Sequence, residues 1–268
     1  MTAAARTAAL VGLAALGAGA ALVAAAVLAT RAPAPEAETA SSSPVHAAPT
    51  DPALAHTALL AGPARDDAAL RQLRAAAAGA PVAARLLGQA LLARGRSSDA
   101  AEARQWLQQA ADHGDGEASL ALGRLLYRGA PGLPPAPAEA LAPLQAAVVA
   151  GQPAAAYYLA LVHKNGAPGL PPDAAQAVHW LELAARAQIP DAQFLLGQML
   201  LTGDGAAADP ARARALFEAA AEREHPEAAL QLAMASARGE MGFARDRRVE
   251  DMQLREAQHA LRHRPPAP

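Results

Sequence analysis

Cysteine is missing from all 268 residues, which excludes disulfides, thiolate metal sites, a cysteine nucleophile and a lipidated N-terminal cysteine. Aromatic residues are only 3% of the chain, so a conventional core of large side chains is not available. Lysine is reduced to Lys164, and arginine supplies nearly all the positive charge. The net charge of −2 gives no bulk attraction to nucleic acid or to an anionic surface. Chemistry is also missing by motif. No HExxH, GxSxG, P-loop or dinucleotide fingerprint occurs. Gly203-Asp204-Gly205 lacks the lysine and the preceding strand of a phosphate cradle. Asp66 and Asp67 are adjacent and point to different helix faces. His259 and His263 share a face of a terminal helix, but two ligands alone make no metal site. No catalytic residue, metal or cofactor is expected.

Alanine is what the chain has instead. It is the best helix former and has no long side chain to hold helices apart, so close helix packing is expected. A repeat organises these helices. GAPGLPP occurs at Gly129–Pro135 and again at Gly166–Pro172, 37 residues later. Weaker copies align on one small residue in the first helix of each unit: Gly88, Gly123, Ala160, Gly197 and Ala233. A leucine precedes each of these. An alanine lies five positions before (Ala83, Ala118, Ala155, Ala192, Ala228). Glycine ends each helix at Gly95, Gly129, Gly166, Gly203 and Gly239, where it adopts the left-handed conformation at no steric cost.

The second helix of each unit is in register too. Asp99, Asp173 and Asp209 stand where N-caps belong. Alanines follow, and then Trp106, Trp180 and Leu216, predicted to fill the groove between units. One unit departs, with Ala136 for the aspartate and Pro143 for the tryptophan, so a late start or a kink is expected there. The last unit decays toward polar residues, keeping Asp246 but carrying Glu250 and Gln253, as a solenoid end requires. A short helix near Pro52–Ala61 and a half-unit at Ala68–Gly79 precede the array. His163 stands at a core position and is read as packing.

The pattern A-x3-LG-x5-G, a short loop, then D-x3-A-x2-W-x3-AA-x2-G resembles the Sel-one-like repeat, a helical relative of the tetratricopeptide repeat, over roughly Ala68–Ala257. It departs where that family often has tyrosine, three residues after LG: Leu91, Leu126, His163, Leu200 and Ser236. The resemblance implies an all-α fold, a right-handed superhelical solenoid of antiparallel helix pairs. It also implies use as an adaptor for proteins, often in bacterial envelopes.

Residues 1–31 hold an uncharged stretch, Thr7 to Thr30, between Arg6 and Arg31. As a helix it would span about 35 Å, matching a bilayer core. A membrane anchor is the expectation, with the repeat domain periplasmic. A cleaved signal with export, or a soluble helix, stands beside it. Residues 32–52, rich in Pro, Ala, Ser, Thr and Glu, read as a disordered linker, and residues 53–268 as the repeat domain.

The expected function is a non-catalytic scaffold of the cell envelope that binds a protein or peptide, with no nucleic acid. An accessory to an envelope enzyme, a weak hydrolase of wall material and a structural spacer are the alternatives. The unchanging positions of each first helix mark its packed side. The opposite side carries Arg124, Arg128, Leu161, Asn165, Gln198, Thr202, Met234 and Arg238, with Tyr158 at its border. These nine are the candidate partner-binding residues, lining a concave trough. Tyr157 and Phe194, at an adjacent position, are read as inter-repeat core.

Overall fold

A computed structural model describes residues 51–244 together with Arg255 and Gln258. All fall in the unit running from Pro44 to Pro268. Among the described residues there are eleven named helices and no strand: α1 Pro52–Ala61, α2 Asp67–Ala77, α3 Pro81–Arg94, α4 Ala100–Asp112, α5 Gly116–Arg128, α6 Pro137–Val149, α7 Ala154–Asn165, α8 Ala174–Arg186, α9 Pro190–Thr202, α10 Pro210–Ala221 and α11 Pro226–Arg238. Each packs on its neighbour in chain order, giving an all-helical solenoid of paired antiparallel helices. Asp246, Glu250, Gln253 and the His259–His263 pair lie outside the described residues.

The membrane placement expected from the sequence is corrected here, both as a membrane partner and as a single-pass localisation. Among the described residues no helix is long and apolar enough to cross a membrane. The longest, α3, has 14 residues and rises about 21 Å, short of the ~30 Å of a hydrocarbon core. Residues 1–31, which carried that expectation, lie outside the described residues.

Local chemistry explains where the helices begin. Proline opens α1, α3, α6, α9, α10 and α11, where its missing N–H costs nothing. Asp173 accepts from the Gln176 amide and Asp209 from the Arg212 amide, each at 2.9 Å, as expected of N-caps. Asp99 behaves differently and makes no cap bond. It accepts from Ser98 Oγ at 2.9 Å and stands 3.2 Å from Nε of Arg94. Arg94 is only 1% exposed, so its charge must be balanced within the fold. Its Nη1 donates to the Ala61 carbonyl at 3.0 Å and its Nη2 to Asp67 at 2.6 Å. This one side chain ties α1, α2 and the start of α4 to the end of α3. Arg85 does similar work one pair later, reaching Asp115 at 2.9 Å and Glu117 at 2.7 Å.

The groove between helices is filled one residue later than the sequence pattern predicts. Leu107, Leu144, Leu181 and Phe217 are 0% exposed, whereas Trp106, Trp180 and Leu216 are half-buried. A Cβ on Gly88 would lie 2.7 Å from Leu107, one on Gly197 2.7 Å from Phe217, and one on Gly123 would overlap Leu144. The small aligned residue therefore exists to admit the bulky residue that follows the tryptophan position. This accounts for Pro143, which sits inside α6 without delaying its start at Pro137. It occupies the half-buried slot and leaves Leu144 in the core.

Both GAPGLPP copies fold alike. Ala130 and Leu133 exchange two backbone hydrogen bonds of 2.8 Å, and so do Ala167 and Leu170. Proline then glycine between them suits a type II turn, with φ +81° at Gly132 and +78° at Gly169. Gly129 (φ 73°, ψ −176°) and Gly166 (φ 71°, ψ 179°) take a conformation that is essentially glycine-only. The helix-ending glycines of the other units are left-handed: Gly95 (66°, 20°), Gly203 (76°, 22°) and Gly239 (68°, 33°). Identity between the two loops thus reflects a stricter backbone requirement than a helix stop.

Candidate partner-binding trough

Successive first helices α3, α5, α7, α9 and α11 present one partly exposed side each. Arg124, Leu161, Gln198 and Met234 are half-buried there, and Arg128, Asn165, Thr202 and Arg238 are exposed. Tyr158 is buried, at 7% exposure, so it cannot act as a projecting anchor. Its ring is instead the floor of a cluster. Tyr127 and Tyr157 meet it edge-on, with centroids 6.0 and 5.5 Å away. The guanidinium groups of Arg124 and Arg128 lie over it at 5.8 and 5.5 Å. Asn165 Nδ2 donates to the Tyr127 hydroxyl at 3.1 Å. All three tyrosines of the chain therefore gather at the α5–α7 junction. Burial, and secondarily the Asp191 charge, push the Tyr157 hydroxyl up to about 12.

Cation–π contact orients the two guanidinium planes over the ring, and the edge of the Arg124 guanidinium keeps N–H groups that can donate to an acceptor. Among the described residues no carboxylate pairs with Arg124. The second helices contrast with this. Arg74 pairs with Glu102 and Arg104 with Glu139 at 2.7 Å, and Arg212 with Glu182 at 2.9 Å, linking α2 to α4, α4 to α6 and α8 to α10.

Farther along, Met234 and Arg238 help line a cavity of about 330 Å³ with Leu201, Pro210, Gln231, Ala235, Glu240 and Met241. It lies between α9 and α11, and its lining is mainly apolar. Arg238 is 3.9 Å from Glu240, so the charge at this end is partly balanced. Leu161, Gln198 and Thr202 belong to α7 and α9, between the two clusters. Thr202 Oγ1 turns back to the Gln198 and Met199 carbonyls, both at 3.2 Å.

Tyr127, Leu201 and Met241 escaped the sequence reading. Tyr127 and Leu201 stand four residues after the aligned small residue, about 60° from the positions that were selected. A wider sector of the helical wheel includes them. Met241 lies beyond α11, in a segment without periodicity. Tyr157 and Phe194 are half-buried as expected of inter-repeat packing, with Phe194 stacked on His225 at 4.7 Å and tilted on Phe217 at 5.7 Å. His163 is half-buried. Among the described residues no group of three His, Asp or Glu is placed to hold a metal ion.

Comparison with known proteins places these observations. A crystal structure of a Sel1 repeat protein from Oxalobacter formigenes superposes with a TM-score of 0.65, at 26% identity, over 78% of this chain and 88% of that one. A Sel1 repeat protein from Klebsiella pneumoniae is 28% identical over 70% of this chain and 91% of its own, with a TM-score of 0.44. An immunity protein from Pseudomonas aeruginosa gives 16%, 80%, 84% and 0.46 for the same four quantities. Comparison with curated proteins gives no match. The Sel1 repeat family model matches residues 81–115, 116–142, 153–188 and 190–225. These begin with α3, α5, α7 and α9, and the second ends one residue before Pro143. With half its length matched in four consecutive units, the chain belongs to the Sel1 repeat family.

Proposed function

We propose that the chain is a non-catalytic scaffold that binds an extended protein or peptide segment along the exposed side of α5, α7, α9 and α11. In this reading residues 53–268 act as one recognition domain, and the helix pairs wind in the right-handed superhelix that the family implies, which makes that side concave. The observation that carries it is the arginine pair over the buried tyrosine cluster. Both guanidinium groups are oriented over the Tyr158 ring, and Arg124 is half-buried with no balancing carboxylate among the described residues. Such a pair is ready to accept an acidic side chain at little cost in side-chain freedom. Gln198 and Thr202 offer polar contacts, and Leu161 and Met234 apolar ones, along the way. Arg238 contributes at the far rim.

The test is a titration of a captured partner with the full chain. Arg124→Ala with Arg128→Ala is expected to weaken binding at least about tenfold, or 1.4 kcal/mol. Changing Gln105 and Gln108 on α4 to alanine is expected to leave it unchanged. The reverse pattern would move the interface to the second helices.

A further inference from the structure

We infer that the trough reads a two-part signature: an acidic side chain against Arg124 and Arg128, and a large apolar side chain in the α9–α11 cavity, about six residues away along an extended segment. This rests on the trough reading above and specifies its ligand.

The two ends differ in chemistry, which gives the trough a direction. At the α5–α7 end the guanidinium groups stand over the Tyr158 ring at 5.8 and 5.5 Å, and no carboxylate pairs with Arg124 among the described residues. At the α9–α11 end Glu240 already approaches Arg238, at 3.9 Å, while Leu201, Pro210, Met234 and Met241 make the cavity walls apolar. A volume of about 330 Å³ accepts one large side chain rather than a folded element. An acidic group is thus favoured at one end and disfavoured at the other, so a reversed segment places both of its anchors badly.

Spacing follows from helix packing. Packed helices lie about 8–10 Å apart, and the centre of the cavity is two first-helix steps from the tyrosine cluster, or about 20 Å. An extended chain advances about 3.3 Å per residue, so the two anchors are separated by about six residues. An α-helical ligand rises only 1.5 Å per residue and needs about thirteen.

The experiment uses fluorescein-labelled synthetic peptides of glycine, serine and asparagine carrying a Glu-Glu pair and one leucine. Their separation is varied from about two to fourteen residues, and each peptide is titrated against the full chain by anisotropy. The expected result is an optimum at about five to seven residues, roughly tenfold tighter than at either extreme. In the best peptide, replacing Glu-Glu by Gln-Gln or leucine by serine is expected to remove that gain. Arg124→Ala with Arg128→Ala is expected to erase the Glu-over-Gln preference, and Met234→Asp the leucine preference. Affinity independent of spacing, an optimum near thirteen, or no binding by any peptide overturns the signature. Flat affinity that is nonetheless lost in the arginine variant overturns the signature and leaves the trough standing. A spacing optimum untouched by every trough variant overturns both.

Discussion

Alanine substitution of five glycines separates what the repeated loop motif demands from what a helix end demands. Gly95 is left-handed, and a Cβ there meets nothing within 4 Å. Gly95→Ala therefore costs about 1–2 kcal/mol, the ordinary left-handed penalty. Gly129 has φ 73° with an extended ψ of −176°, a region worth about 1–3 kcal/mol of strain for other residues. Its Cβ would also lie 2.8 Å from the Leu133 carbonyl oxygen and 2.9 Å from Pro135. Overpacking adds about 1–3 kcal/mol, so Gly129→Ala is expected to cost about 2–6 kcal/mol. Gly166 repeats that geometry, with contacts of 2.8 and 2.9 Å to Leu170 and Pro172, and should cost the same. The sharper comparison lies inside the motif. Gly132 and Gly169 are sequence equivalents with φ near 80°. A Cβ on Gly132 would approach the Ser97 carbonyl at 2.5 Å, whereas Gly169 faces open space. Gly132→Ala should therefore lose about 1–3 kcal/mol more than Gly169→Ala. Urea unfolding followed by circular dichroism measures all five. Equal losses at Gly132 and Gly169, or a loss at Gly95 matching that at Gly129, would refute the loop geometry and the contact of the Gly129–Pro135 loop with Ser97.

Further outcomes follow from the packing and the charges. Leu181→Ala should lose about 2–5 kcal/mol by cavity formation, while Pro143→Ala should raise the melting midpoint because it restores a helix-interior amide; a fall on Pro143→Ala would contradict the half-buried slot. Arg94→Met should cost about 3–5 kcal/mol by stranding the Asp99 carboxylate, which is 15% exposed. Arg94 holds the Asp67 carboxyl below the usual aspartate range, first by its hydrogen bond and then by its charge. That contribution is whole above the unfolded aspartate pKa and is lost as pH falls through the lower folded one. Melting curves should thus show the gap between the parent and Arg94→Met narrowing as pH falls below about 4. Tyr157, with its hydroxyl pushed up to about 12, favours the fold fully below about pH 10 and loses that effect as pH rises toward the folded value. Ultraviolet titration should show a late phenolate step that Tyr157→Phe removes.

Periodicity made the architecture legible because every unit repeats the same demands. Leu87, Leu122, Leu159, Leu196 and Leu232, with the alanines four residues before each of them, fall in the buried set, and all five helix-ending glycines have positive φ. The groove was misread by one position. Tryptophan is large and conspicuous, but Leu107, Leu144, Leu181 and Phe217 lie nearer the packed axis. Asp99 was misread because its competitor, Arg94, stands in the preceding helix and is buried, whereas Arg128 and Arg238, which also precede a helix-ending glycine, are exposed. The helical wheel brought Arg124 and Arg128 to one side of α5, and the structure sets both over the Tyr158 ring. The burial of Tyr158 was not legible, because it depends on Tyr127 and Tyr157 closing over it from two helices. The α9–α11 cavity was half legible, through Met234 and Arg238. Its remaining walls come from Leu201 on another helix and Met241 beyond α11.

Photo-crosslinking in living cells tests the central claim, that a partner is held on the exposed side of the first helices. A benzophenone amino acid is placed at Leu161 or Gln198 in the trough and, separately, at Gln145 on the exposed side of α6. Tyr158 is left intact because its burial makes it part of the fold. The account predicts one common adduct from Leu161 and Gln198, none from Gln145, and loss of that adduct when Arg124 and Arg128 are both alanine. Adducts from Gln145 alone, or trough adducts indifferent to the two arginines, would contradict it.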